Sequence, residues 1–234
     1  MAYLLFLAVR ESPSIEDIPA LREKLEKSFP NKYNLSYLDA LAGSSDRPAL
    51  PRVTAERLGA ISLLPSLLAA ACIPTESLVL RRDQRGRPYC ETPDGPAGFD
   101  FNLSHSAFHV AGALLVGGGK VGVDVEEMIP SERALPLIRR FCTEGELELL
   151  ADAPPSDDPA ADLFTSIWVE REALAKQNGQ GMPLRFDTAR IPEGLTVWKG
   201  YLPTTNTRLA LCAPMKNAPR YPRLLPDSLP VVFT

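Results

Sequence analysis

The stretch VAGALLVGGGKVGVDVE, Val110 to Glu126, decides the reading of the fold. Two segments rich in aliphatic residues, Val110–Val116 and Lys120–Glu126, flank Gly117, Gly118 and Gly119. β-branched residues suit a pleated surface and glycines suit a turn, so the pattern predicts two strands joined as a β-hairpin. In the second strand Val121, Val123 and Val125 alternate with Gly122, Asp124 and Glu126, which puts both carboxylates on one face.

Outward from this stretch, strands are expected at Tyr3–Val9, Leu78–Arg82, Gly98–Leu103, Leu195–Tyr201 and Arg208–Ala213. Helical periodicity is expected at Ile18–Ser28, Glu132–Phe141, Thr143–Ala151 and Ala160–Gln177, with a longer helix at Val53–Ala71 that Pro65 kinks or divides. A short helical turn is expected to start at Ser104. Strands interleaved with helices place the chain in the α+β class, of α/β type.

The composition is that of a globular protein: 234 residues, 45% hydrophobic and 23% charged. A net charge of −4 gives no global attraction to nucleic acid. The start, MAYLLFLAVRE, has no basic segment before its apolar run, and no apolar run approaches the roughly 20 residues that span a bilayer. The chain is therefore expected to be cytoplasmic, without membrane or nucleic-acid partners. Cys72, Cys90, Cys142 and Cys212 lack zinc-ligand spacing and are read as free thiols.

Three constellations carry chemistry. Asp124 and Glu126 repel each other unless a proton or cation relieves them, and hard oxygen donors suit Mg²⁺; the alternative is a solvated polar strand face. Glu172 and Lys176 lie four residues apart on a predicted helix, a spacing that also describes an ordinary surface ion pair. Their helix is expected to end at Gly179, with Gly181 in its exit. In FNLSHS, Phe101 to Ser106, Ser104 as an N-cap would leave backbone N–H groups facing an anion, with His105 as a further donor. No GxSxG elbow surrounds Ser104, and VGGGKVG is not a P-loop, because Val121 follows Lys120 where Ser or Thr is required.

Four motifs in this order, RGRP at Arg85–Pro88, FNLSHS, GVDVE at Gly122–Glu126 and WVEREALAK at Trp168–Lys176, resemble those of the larger, Sfp-type 4′-phosphopantetheinyl transferases. RFCTEGELELL, from Arg140, is similar to a fifth segment of that family. The likeness covers roughly Arg81 to Gly181, with Arg87 and Arg171 standing where the family usually has lysine.

The resemblance implies two similar subdomains, 1–117 and 118–234, packed as a pseudo-dimer around a coenzyme A cleft, in a monomeric enzyme. It implies transfer of 4′-phosphopantetheine from coenzyme A to a serine of an acyl or peptidyl carrier protein. Mg²⁺ would sit on Asp124, Glu126 and Glu172, with Glu172 as ligand or general base, and Lys176 would neutralise the leaving phosphate. Ser104, His105, Arg87 and Arg57 would hold coenzyme A, Arg52 competing with Arg57. The alternatives are a coenzyme A-binding homologue without transfer and a protein-interaction module.

Overall fold

Strands that are apolar on both faces must be covered on both faces, and this requirement builds the molecule. The computed structural model describes residues 4–44, 47–151, 158–179, 191–214 and 221–234. In chain order they form β1 (Leu4–Glu11), α1 (Ile18–Ser28), α2 (Tyr33–Leu41), β2 (Gly43–Ser44), β3 (Arg47–Pro48), α3 (Pro51–Ile61), α4 (Leu64–Ala70) and β4 (Val79–Arg82). Next come β5 (Pro88–Thr92), β6 (Gly95–Pro96), β7 (Phe99–His105), β8 (His109–Val116), β9 (Gly122–Glu127), α5 (Ser131–Phe141), α6 (Glu144–Ala151) and α7 (Pro159–Asn178). The last strands are β10 (Thr196–Leu202), β11 (Thr207–Ala213), β12 (Arg223–Leu224) and β13 (Val232–Phe233). The class is α+β.

Two four-stranded sheets dominate, one in the order β12-β1-β8-β7 and one in the order β13-β10-β11-β9. Leu5, Leu7 and Val9 of β1 and Ala111, Ala113 and Leu115 of β8 pack in one core with Val123 and Val125 of β9 and Leu209 and Leu211 of β11. The opposite faces of β1 and β8, with Phe6, Ala8, Val110 and Leu114, pack on Leu25, Leu58, Ile61, Leu64 and Leu67 from the helices. On the far side of the second sheet, Ala210 and Cys212 meet Val169, Ala173 and Leu174 of α7. The layers therefore run helices, sheet, sheet, helix.

Three expectations are corrected. Val110–Val116 and Lys120–Glu126 do not form a hairpin: β8 pairs with β1 and β7, whereas β9 pairs with β11. Gly117, Gly118 and Gly119, all at positive φ, carry the chain from one sheet to the other. Both strands need cover on two faces, which pairing with each other alone would not provide.

No helical turn begins at Ser104; β7 continues through His105, with Ser104 opposite Ala111 of β8. The Val53–Ala71 helix is divided into α3 and α4, with Pro65 in the first turn of α4, where its missing N–H costs least. Taken together, Pro51–Ala70 is long and apolar enough by length and composition to cross a membrane, contrary to the sequence reading, yet most of it is buried inside the protein. Helix α2 lies between Ser28 and Val53, where no element was expected. Gly181 and residues 153–157 lie outside the described residues.

Candidate active site

The polar residues of β7 recur at every second position, Asp100, Asn102, Ser104 and Ser106, while Phe101 and Leu103 face the helical core. Across from them runs β9, the edge strand of the second sheet. Helix α7 lies directly on β9 because Gly122 has no side chain: a Cβ there would stand 1.9 Å from the Ala173 carbonyl oxygen and 2.6 Å from Gln177 N. This close approach brings Glu172 and Lys176 to Asp124.

At the centre, Ser104 Oγ donates to Asp124 Oδ1 at 2.8 Å, and Lys176 Nζ donates to the same oxygen at 2.7 Å and to Ser104 Oγ at 2.9 Å. Asp124 is 3% exposed and Ser104 4%. Lys176 thus reaches across to β9 rather than serving only as a surface partner of Glu172 one turn back. Burial, then the charges of Asp124 and Glu127, push the Glu126 carboxyl up to about 7. Burial and then Asp124 raise Glu172 as well, against the pull of Lys176. A cleft of about 620 Å³ opens here, lined by Arg87, Asn102, Glu172 and Lys176 among others.

These residues suit a hard divalent cation by their donor chemistry. Asp124 Oδ2 is buried and has no hydrogen-bond partner, and the neighbouring carboxyls are raised by burial and then by shared negative charge. Among the described residues no three His, Cys, Asp or Glu side chains are gathered at ligating spacing. One or two carboxylates are nonetheless the usual protein share of a Mg²⁺ site that also takes phosphate oxygens and water.

The other expected residues divide. His105 lies at the end of β7 with Nδ1 3.3 Å from Glu56 Oε2. Burial holds its pKa below the ordinary value; Glu56 opposes this, and Lys176 and Arg57 reinforce it. Arg57 donates to the Leu41 carbonyl at 3.2 Å, whereas Arg52 binds Glu56 at 3.1 Å and the Ala107 carbonyl at 3.1 Å.

Arg87 borders the cleft, but its guanidinium is engaged by protein groups. It donates to Asp100 Oδ2 at 2.5 Å, to the Val121 carbonyl at 2.7 Å and to the Lys176 carbonyl. In this arrangement it clamps β7, β9 and α7 together. Arg171 is buried and pairs with Glu146 of α6, so it ties two helices rather than facing the cleft.

The backbone N–H groups after Ser104 do meet an anion, and it is the protein's own. Glu127 accepts from Ser106 Oγ at 2.6 Å, Ala107 N at 3.1 Å and Phe108 N at 3.0 Å, and its Oε1 lies 3.1 Å from Nδ1 of buried His109. Burial alone would raise Glu127; the hydrogen bonds from His109, Ser106 and Phe108 overcome it and hold the carboxyl near 2. Sequence reasoning passed over Glu127 and His109, although Ser106 at even spacing from Ser104 was a signal that β7 continued.

With this geometry in view, comparison with known proteins is specific. Residues 120–203, which include β9 and α7, match the family model described as the 4′-phosphopantetheinyl transferase superfamily. Among curated proteins, 91 residues are 34% identical to the 4′-phosphopantetheinyl transferase ffp of Bacillus subtilis, covering 39% of this chain and 38% of that one. Over 100 residues the chain is 31% identical to the 4′-phosphopantetheinyl transferase HetI of Nostoc, covering 43% and 41%. A third relative is the 4′-phosphopantetheinyl transferase Sfp of Bacillus subtilis, 32% identical over 92 residues and covering 39% and 38%. The chain thus spans about two fifths of the length of these relatives.

Proposed function

We propose that this protein transfers 4′-phosphopantetheine from coenzyme A to a serine of a carrier protein, with Mg²⁺ as cofactor. The reading is carried by one observation: Ser104, Asp124 and Lys176 meet beside a cleft where burial, and then the neighbouring carboxylates, raise Glu126 and Glu172. The named relatives are transferases of this kind, which supports the class. The molecule is read as two half-units, 1–117 and 118–234, forming a pseudo-dimer and acting as a cytoplasmic monomer; the passage from β8 in the first sheet to β9 in the second supports the division, which β12 crosses by pairing with β1.

In the reaction the carrier serine oxygen forms a bond to the β-phosphorus of coenzyme A as the bridging P–O bond breaks. The electron pair leaves on 3′,5′-ADP. Mg²⁺ on Asp124 and Glu126, with Glu172 as a possible third ligand, would lower the charge of the diphosphate. Glu172, whose carboxyl is raised by burial and then by Asp124, is suited to take the serine proton when it is not a ligand. Lys176 is placed to swing from Asp124 toward the leaving phosphate, and Ser104 to donate to a phosphate oxygen. His105 and Arg57, near one another beyond the end of β7, supply the nucleotide end.

Incubation with coenzyme A, Mg²⁺ and a panel of apo-carrier proteins, followed by mass spectrometry, tests this. The expected product is a carrier protein heavier by one phosphopantetheine. Asp124→Ala should nearly abolish its formation, and Glu172→Gln should lower kcat by about 10²-fold. Undiminished transfer by Asp124→Ala would remove the site from this cleft.

A further inference from the structure

β7 and β9 are the facing edges of two different sheets, and no backbone ladder pairs them. Side chains bridge them instead. Asp100 Oδ2 accepts Val121 N at 2.8 Å, Asn102 Oδ1 accepts Val123 N at 2.9 Å, Ser104 Oγ binds Asp124 Oδ1 at 2.8 Å, and Ser106 Oγ binds Glu127 Oε1 at 2.6 Å. The four residues on and just past β7 advance by two each time, so all project from one face; their partners Val121, Val123, Asp124 and Glu127 ascend in the same direction on and just before β9, with backbone N–H groups at the first two and carboxylates at the last two.

We propose that this series is a side-chain ladder that sets the register between the two sheets, and that Asn102 and Ser106 are positioning residues for Ser104 and Asp124. The two contacts that flank Ser104 stand on either side of the chemistry. Asn102, 5% exposed, occupies the Val123 N–H of an otherwise unpaired sheet edge, and Ser106, 7% exposed, ties the end of β7 to Glu127. With β9 held on both sides of Asp124, its carboxylate meets Ser104 and Lys176 from a fixed direction. Misplacement of reacting groups by about 1 Å can cost about 10²-fold in rate.

The kinetic arm rests on the transferase reading; the structural arm does not. Asn102→Ala and Ser106→Ala would be compared with the wild type by amide hydrogen exchange and by transfer kinetics. Asn102→Ala is expected to accelerate exchange at Val123 and also at Val121, and to lower kcat by about 10²-fold with KM for coenzyme A little changed. Ser106→Ala should do the same more weakly, and it covers the case in which Asn102→Ala does not fold. Exchange faster at Val123 alone would overturn the ladder, and wild-type kcat in both folded variants would overturn the positioning role. Absence of transfer by the wild-type protein would sink the transferase reading and with it the positioning role, while exchange would still decide the ladder.

Discussion

Asp124 is surrounded by charges that act in different directions. Glu126, raised from 4.5 to about 7, binds its proton more tightly in the folded chain than in the unfolded one. Its contribution is fully present below about 4.5 and is lost as pH rises through about 7. Glu126→Gln should therefore flatten the fall of Tm over that interval when metal is absent, and an unchanged slope would show that another group titrates there. Lys176 is the cation that meets buried Asp124 directly, so Lys176→Ala leaves a buried carboxylate uncompensated. A loss of about 1–3 kcal/mol is expected by chemical denaturation, and Mg²⁺ should raise Tm more in the variant than in the wild type. Equal Mg²⁺ effects in both would separate Lys176 from the cation site. These couplings were only partly legible: the spacing of Asp124 and Glu126 showed a shared strand face, but Lys176 was paired with Glu172 by helical spacing. The true partner lies 52 residues away, across a helix–strand contact.

Among the elements, α7 and β7 line much of the cleft, and Gly122 of β9 sets how closely α7 lies against the second sheet. A methyl group there would overlap backbone atoms of Ala173 and Gln177, which cannot move without displacing the helix. Gly122→Ala is expected to destabilise by about 1–3 kcal/mol or more and to lower kcat further than a stability loss alone would, because Lys176 moves with α7. Native-like Tm and turnover would show that the helix has another seat available. The helix bounds were readable in sequence, since Asp158 caps the start and Gly179, at φ 72°, ends it. The turn at Ser104 was misread because a serine that precedes polar residues looks like an N-cap. Only the antiparallel partner β8 shows that β7 runs on to His105.

At the scale of the molecule, residues 223–229 return to the first sheet before β13 joins the second. β12 pairs in parallel with β1, Leu225 N donates to the Leu7 carbonyl at 2.9 Å, and Leu229 N donates to the Val9 carbonyl at 2.8 Å. Leu225 is 6% exposed in the helical core, and Arg10 pairs with Asp227. Truncation after residue 220 would uncover β1 as a long apolar edge, the kind that templates aggregation. The truncated chain is expected to lose Tm and solubility, and an equally stable monomer would make the segment dispensable. The sequence by itself determined the α+β class, most helix and strand positions, and the motifs that resemble those of the transferases, because periodicity, glycines and short motifs are local properties. Tertiary structure alone decided that the central glycines join two sheets, that Lys176 meets Asp124, that Arg87 is a clamp and that Glu127 fills the turn after Ser104. Those outcomes depend on which edges and faces are left to be covered once the strands have paired, a competition among distant segments that no local pattern records.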